Sequence, residues 1–233
     1  YKDNAPRLVI QKSSRTGITE WAKCRMFWRA WNGYNGIYVL PDQPLRNRFV
    51  SGNIDPTIRN VRLYRNGTLS YRKDVDAKSL KTIFGATWAF VGAVKKKTMF
   101  EFNSDTNIID EFDLCDPEVV TYSNDRLKAS SDPHKYILGN PTFNGMGIAS
   151  EFQSTDAKQY HLKCDHCNEW QQLDWYVNFV DQISPNKFRL RDTRFADYNP
   201  LIGDAKQGAG DASPVCRKCG GLMNRLACGE WVA

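Results

Sequence analysis

The sequence predicts an α/β fold, a mostly parallel sheet with helices on both faces, together with a small β-rich zinc-binding subdomain. Three observations predict it. Apolar runs of strand length alternate with helix-patterned stretches over residues 1–156, the pattern of strand–helix–strand units. Three segments rich in phosphate- and metal-binding residue types fall just after apolar runs, where such sheets place their ligands. Two C-x-x-C pairs lie in residues 157–233, where the pattern changes to short strands and loops. The expected division is therefore 1–156 and 157–233.

In chain order, strands are expected at 7–12, 36–41, 87–92, 106–110 and 135–139, and helices at about 19–32, 43–50, 117–130 and 146–153. The first helix is expected to turn Trp21, Cys24, Phe27 and Trp28 to one face. Asn66-Gly67, between Val61–Tyr64 and Leu69–Tyr71, reads as a hairpin turn. Beyond residue 157, Tyr160–Lys163, Trp170–Trp175 and Phe188–Arg191 read as short strands, and Asp197–Ser213 as a loop. Hydrophobic residues at 41% and charged residues at 25% describe an ordinary globular mixture. No apolar run approaches the roughly 18–20 residues of a membrane span. With no signal-like segment at the start, Tyr1 and Ala233 read as cut ends of a longer polypeptide.

The first site candidate follows Leu8-Val9-Ile10. The run Lys12-Ser13-Ser14-Arg15-Thr16-Gly17-Ile18-Thr19 links a strand to a helix, a geometry that aims backbone N–H groups at phosphates. Against G-x-x-x-x-G-K-[ST], Gly17 takes the second glycine position and Thr19 the hydroxyl position. Ile18 stands at the usual lysine position and Lys12 at the first glycine, so the cation moves to the start of the loop. Arg15 offers a second, planar cation, and Thr19 can ligate Mg²⁺. The second candidate is Asn107-Ile108-Ile109-Asp110-Glu111. A strand-end Asp can hold Mg²⁺, and the adjacent Glu can orient and deprotonate water. The third is Tyr136-Ile137-Leu138 followed by Gly139-Asn140-Pro141-Thr142, a polar strand tip able to sense a γ-phosphate. Each segment alone is weak; the three in order favour a nucleotide site. The competing reading is a plain strand–helix loop, with Asp110 and Glu111 in an exposed turn and Asp113 as a helix cap.

Seven cysteines are present. Cys164, Cys167, Cys216 and Cys219 form two knuckles suited to one tetrahedral Zn²⁺, with Asn168, Gly220 and Gly221 able to take the positive φ that knuckles use. A disulfide framework fits less well, because the count is odd. His161 and His166 are expected at the surface, and Cys24, Cys115 and Cys228 as buried thiols.

The net charge is +6. Residues 1–156 hold 22 Lys/Arg and 17 Asp/Glu, and residues 157–233 hold 10 and 9, so the basic excess sits in the first part. Arg62, Tyr64, Arg65, Arg72 and Lys73 on the expected hairpin interleave cations with aromatics, which suits a nucleic-acid backbone. Lys95-Lys96-Lys97 is a second basic candidate; a solvated basic face is the alternative for both.

Taken together, these residues resemble the large subunit of tailed-bacteriophage terminases, in the lambda-type branch. The resemblance rests on Lys12-Ser13-Ser14-Arg15-Thr16-Gly17, Tyr38-Val39-Leu40-Pro41, Ile54-Asp55-Pro56-Thr57-Ile58-Arg59, Phe90-Val91-Gly92-Ala93, Asp110-Glu111 and Gly139-Asn140-Pro141-Thr142. It continues through Cys164-x-x-Cys167, Leu173-Asp174-Trp175, Cys216-x-x-Cys219-Gly220 and Gly229-Glu230-Trp231. It implies a P-loop NTPase of the RecA/ASCE-like kind, an ATP-hydrolysing motor that pumps double-stranded DNA into a capsid. Implied roles are Lys12 on the triphosphate, Arg15 as a cis arginine finger, Thr19 and Asp110 on Mg²⁺, Glu111 as catalytic base, and Asn140 with Thr142 in the coupling segment. Implied partners are the capsid portal protein, the small terminase subunit and further copies in a ring, within the cytoplasm of the infected bacterial host. The family's nuclease domain is expected to follow beyond Ala233. A helicase-like DNA translocase with a zinc ribbon, or a non-enzymatic zinc module, would share parts of this pattern.

Overall fold

The computed structural model describes residues 5–13, 16–69, 76–93, 102–185, 187–195 and 212–232. The chain divides into two compact units, Tyr1–Thr155 and Asp156–Ala233.

The first unit begins with β1 (Arg7–Gln11), α1 (Ile18–Trp31), β2 (Gly36–Leu40), α2 (Gln43–Phe49), α3 (Asp55–Asn60) and α4 (Arg62–Leu69). It continues with β3 (Asp76–Ala77), β4 (Leu80–Ile83), β5 (Ala86–Gly92), β6 (Thr106–Ile109), α5 (Pro117–Asp125), β7 (His134–Gly139) and α6 (Ile148–Gln153). Seven strands form one sheet in the order β1-β7-β6-β2-β5-β4-β3. The pairings from β1 to β5 are parallel; β4 and β3 add an antiparallel edge. The central strands β2 and β6 are buried along their whole length, as a sheet covered on both faces requires. Met26, Phe27, Tyr38, Trp88 and Tyr136 pack into one core cluster. Ile37, Val39, Ile109, Ile137 and Ile148 pack into another. Side chains alternate between faces along each strand, so neighbours such as Ile37 and Tyr38 join different clusters.

The face of α1 differs from expectation. Ala22, Met26, Phe27 and Ala30 are buried, whereas Cys24 is exposed and Trp28 is 45% exposed. The cause is Arg29, which is only 1% exposed. It donates to Thr106 Oγ1 at 2.7 Å and Asp132 Oδ2 at 2.6 Å, and lies over the Tyr34 ring at 3.6 Å. A charged residue whose nitrogens all find acceptors can face inward, and it rotates the buried stripe from where apolar residues alone would put it. Of the three cysteines expected to be buried outside the thiol cluster, only Cys115 is; Cys228 is also exposed.

The expected hairpin is also replaced. Residues 62–69 form α4, running on from α3. Tyr64 stacks on Phe27 with ring centroids 4.2 Å apart and meets Phe84 edge-on. That packing overrides the turn preference of Asn66-Gly67.

The second unit holds a three-stranded antiparallel sheet, β12-β8-β9, built from β8 (Gln159–Lys163), β9 (Trp170–Gln172) and β12 (Glu230–Val232). A separate hairpin pairs β10 (Val180–Ser184) with β11 (Lys187–Leu190). Its cores are small: Leu162, Cys164, Cys216 and Met223 in one, Val180, Leu190 and Ala212 in the other.

Candidate nucleotide site and thiol cluster

At the carboxyl ends of β1, β7 and β6, Lys12, Ser13, Thr16, Gly17, Ile18, Thr19, Glu20, Glu111 and Asn140 line a cavity of about 380 Å³. Gly17 adopts φ +79° before α1, a left-handed conformation that favours glycine. Gly17 has no side chain to cap this helix end, and among the described residues the first-turn N–H groups face an anion site, with the positive end of the helix dipole behind them. Thr16 Oγ1 donates back to the Ser13 carbonyl at 3.0 Å, closing the described end of the loop. Ser14 and Arg15 lie outside the described residues.

Lys12 is the centre of the polar network. Its ammonium donates to Asp110 Oδ1 at 2.6 Å and Thr19 Oγ1 at 3.1 Å, and pairs with Glu111 Oε1 at 3.0 Å. Those three partners match its three protons. Burial works to lower its pKa, but Asp110 and Glu111 outweigh burial and hold it above the usual lysine value. Asp110, 2% exposed, accepts four hydrogen bonds: Lys12 and the Glu111 N–H on Oδ1, Thr19 and Tyr38 on Oδ2. Glu111 sits at φ +56° and ψ +50°, a backbone state that costs a non-glycine residue about 1–2 kcal/mol. Strain of that kind concentrates at functional sites.

The structure thus brings Lys12, Thr19, Asp110 and Glu111 into direct contact, with Asn140 on the same cavity. Among the described residues, Asn140 Oδ1 is buried without a hydrogen-bond partner, an acceptor beside the cavity that an incoming donor could meet. Thr142 stands apart from the cavity lining: its side chain is exposed and its N–H is held by Asp113 Oδ2 at 2.8 Å. The donor set of a hydroxyl and a carboxylate, all hard oxygens, suits Mg²⁺. Arg62 and Arg65 are exposed on α4, while Tyr64, expected among DNA-facing residues, is used in packing against Phe27. Arg72, Lys73, Lys95, Lys96 and Lys97 lie outside the described residues.

Two residues hold roles that the sequence did not assign them. Tyr38, fully buried, donates its hydroxyl to Asp110 Oδ2 at 3.0 Å. Burial, reinforced by Asp110, pushes its pKa well above the usual tyrosine value and keeps it a donor. A tyrosine inside the apolar run Gly36–Leu40 was the available signal, because a buried hydroxyl needs a partner. The other is Asp113, which caps α6 by accepting from the Ile148 N–H at 2.6 Å as well as from Thr142.

In the second unit, Cys164, Cys167, Cys216 and Cys219 present sulfurs that all lie within 4.8 Å of one another. The Cys164–Cys219 and Cys167–Cys216 separations are 3.7 Å. A tetrahedron with Zn–S bonds of about 2.3 Å has edges of about 3.8 Å, so the cluster fits Zn²⁺. Asn168 and Gly220 take φ +61° and +73°, the knuckle conformations expected of them. Burial opposes ionisation of Cys216, but N–H donors from Cys219, Lys218 and the Gln171 side chain bring its thiol down to about 6. His166 is exposed, and neither histidine joins the cluster.

The family described as "Phage terminase large subunit gpA, ATPase domain" matches residues 2–228. The chain belongs to this family. Among solved structures, it is similar to the large terminase ATPase domain of Thermus phage P74-26 at 17% identity and TM-score 0.51, covering 65% of each chain. A second similar structure is the large terminase of a thermophilic bacteriophage, at 14% identity and TM-score 0.48, over 64% of this chain and 37% of that one. The chain thus spans just under two thirds of the first protein and about a third of the second. Likeness at that identity to the P74-26 domain is a likeness of fold, the P-loop NTPase arrangement of a mainly parallel sheet. No curated protein matches the chain. Among the described residues, no helix is long and apolar enough to cross a membrane.

Proposed function

We propose that the chain is the ATP-hydrolysing motor domain of a DNA-packaging terminase, coupling Mg²⁺-dependent ATP hydrolysis to translocation of double-stranded DNA into a capsid. The observation that carries this reading is the meeting of Lys12, Thr19 and Glu111 at one cavity beside the start of α1, with Asp110 bonded to Lys12 and Thr19 behind them. Thr19 and Asp110 would hold Mg²⁺, which when bound neutralises charge on the phosphates.

The chain's own groups do the rest. The first turn of α1 binds phosphate oxygens through its N–H groups. Lys12, already an ammonium, turns from its carboxylate partners toward the triphosphate. Tyr38 fixes one oxygen of Asp110 so that the other can act. Glu111 takes the proton of the attacking water, and Asn140 offers its unpaired oxygen to that water or its product. Arg15 is assigned as the cis arginine finger on sequence grounds alone. Arg62, Arg65, Arg72, Lys73, Lys95, Lys96 and Lys97 are the proposed DNA contacts. The portal protein, the small subunit and neighbouring copies in a ring are the proposed partners, in the cytoplasm of the infected host. Residues 157–233 would serve as a zinc-stabilised subdomain leading toward a nuclease domain.

Glu111→Gln tests the reading. The variant should bind ATP within about twofold of the parent and lose at least about a hundredfold in turnover, as expected when only transition-state chemistry is removed. Equal loss of binding, or unchanged hydrolysis, removes Glu111 from the role.

A further inference from the structure

The segment after Glu111 is joined to the segment after β7 by one side chain. Asp113 Oδ2 accepts from the Thr142 N–H at 2.8 Å, and Oδ1 accepts from the Ile148 N–H at 2.6 Å. Both oxygens of one carboxylate thus hold backbone 29 and 35 residues away. The fit is close on both sides. Gly147 sits at φ +56°, and a Cβ there would run into the Asp113 carboxyl group. A Cβ on Gly139 would come within 3.1 Å of the Phe112 backbone nitrogen.

Only Phe112 separates Asp113 from Glu111, inside a turn closed by Leu114 N–H to Glu111 O at 2.9 Å and Cys115 N–H to Phe112 O at 3.0 Å. Glu111 and Asp113 therefore move as one piece. On the far side, α6 is anchored to β1: Arg7 pairs with Glu151 at 2.5 Å and donates to Ser154 at 3.1 Å. An unbroken run of contacts leads from Glu111 through Asp113 to Thr142 and α6, and back to the strand that carries the phosphate loop.

We propose that Asp113 is a positioning residue that couples Glu111 to residues 140–153, so that a shift of Glu111 toward the γ-phosphate end of a bound nucleotide displaces the Asn140 loop and α6. The inference rests on the ATP-hydrolysing reading above. A cap that merely stabilised α6 would affect folding stability without linking that segment to nucleotide state, and this difference can be measured.

The experiment compares the parent chain with Asp113→Ala and Asp113→Asn, using ATP, Mg²⁺ and a non-hydrolysable ATP analogue. Three quantities are read: affinity for the analogue by calorimetry, kcat, and amide hydrogen exchange across residues 140–153 with and without the analogue. In the parent, the analogue should change exchange in that segment. In the variants, affinity should stay within about twofold and kcat should fall about tenfold or more, the signature of a lost transition-state contact. Exchange of the 140–153 amides should then become insensitive to the analogue. A variant segment that responds as the parent's does, or an unchanged kcat, overturns the proposal. If Asp113→Ala fails to fold, Asp113→Asn carries the test, because it keeps the size of the side chain and one acceptor. Failure of the nucleotide reading has a different signature, a parent chain that binds no analogue. The tether itself is then read from faster exchange of the Thr142 and Ile148 amides in Asp113→Ala, and unchanged exchange there refutes it.

Discussion

The two units of this chain reach an ordered site by opposite routes. In the first, the acidic pair at Asp110 and Glu111 stands on a sheet buried on both faces, and cores containing Phe27, Trp88 and Tyr136 hold the strands in register. In the second, two of the four clustered cysteines are themselves core residues. Cys164 and Cys216 are 0% and 1% exposed and share their cluster with Leu162 and Met223. Gln171 and Asn178 tie that cluster outward: Gln171 Nε2 donates to Cys216 Sγ at 3.1 Å, and Asn178 Nδ2 donates to Gln171 Oε1 at 2.8 Å. The lesson is one of dependence. Where apolar burial is large, a site can be added to a finished scaffold; where it is small, the site has to be part of the scaffold.

The largest expected effect would break this contrast or establish it. The chain should carry one zinc per molecule by metal analysis. Chelation, or Cys216→Ser, should abolish hydrogen-exchange protection in β8 and β9 while leaving β2 and β7 protected. Structural zinc contributes on the order of 10 kcal/mol to such folds, more than a core of this size supplies. Retained protection after chelation would mean that the second unit also stands on burial alone.

A smaller effect sharpens the first half of the comparison. Arg29→Ala removes a fully enclosed cation and leaves the buried Thr106 hydroxyl without the donor that holds it. Denaturant unfolding should then show a loss of about 3 kcal/mol, from the buried Thr106 hydroxyl left unpaired and the space vacated, while Asp132, 42% exposed, turns to water. Arg29→Met should lose less, because methionine refills much of the space that alanine leaves empty. Equal losses would assign the effect to the lost charge and hydrogen bonds instead of volume.

The smallest expected effect lies again in the second unit. Asp192, 1% exposed, holds the Arg194 side chain and the Ser213 N–H, with bonds of 2.6 and 2.8 Å. These bonds, chiefly that with Arg194, draw its pKa from the usual 3.8 down to about 2. The folded-state pKa is depressed, so the stabilisation is complete above the unfolded value and disappears as pH falls through the folded one. Stability of the second unit should therefore decline between about pH 4 and pH 2 in the parent and vary less with pH there in Asp192→Asn, as followed by circular dichroism.

Much of the first unit could be read from its residues. The five parallel strands fell within a residue or two of their expected places, because each carries a short apolar run such as Leu8–Ile10, Ile37–Leu40 or Ile108–Ile109. The meeting of Lys12, Thr19, Asp110 and Glu111 was legible for a related reason, since strand order brings strand ends together whatever lies between them in sequence. What escaped was set by partners distant in the chain. Arg29 turned a helix by finding Asp132, Tyr64 found Phe27 and made a helix where Asn66-Gly67 suggested a turn, and Asp113 capped a helix 35 residues away instead of its own neighbourhood. In the second unit the knuckles were visible in their spacing. The strands β10 and β12 were not, since short half-exposed strands carry little periodicity.

The order of strands gives the Lys12–Asp110 contact a mechanical meaning. β7 lies between β1 and β6, so the two residues stand on strands about 9.6 Å apart, two inter-strand spacings. Their 2.6 Å bond is therefore a transverse tie, thrown over the tip of the strand that leads to Asn140. Whatever draws Lys12 away also removes this tie between the edge of the sheet and its middle at that tip, and leaves Thr19 on Asp110 Oδ2 as the side-chain bond from the start of α1 to β6.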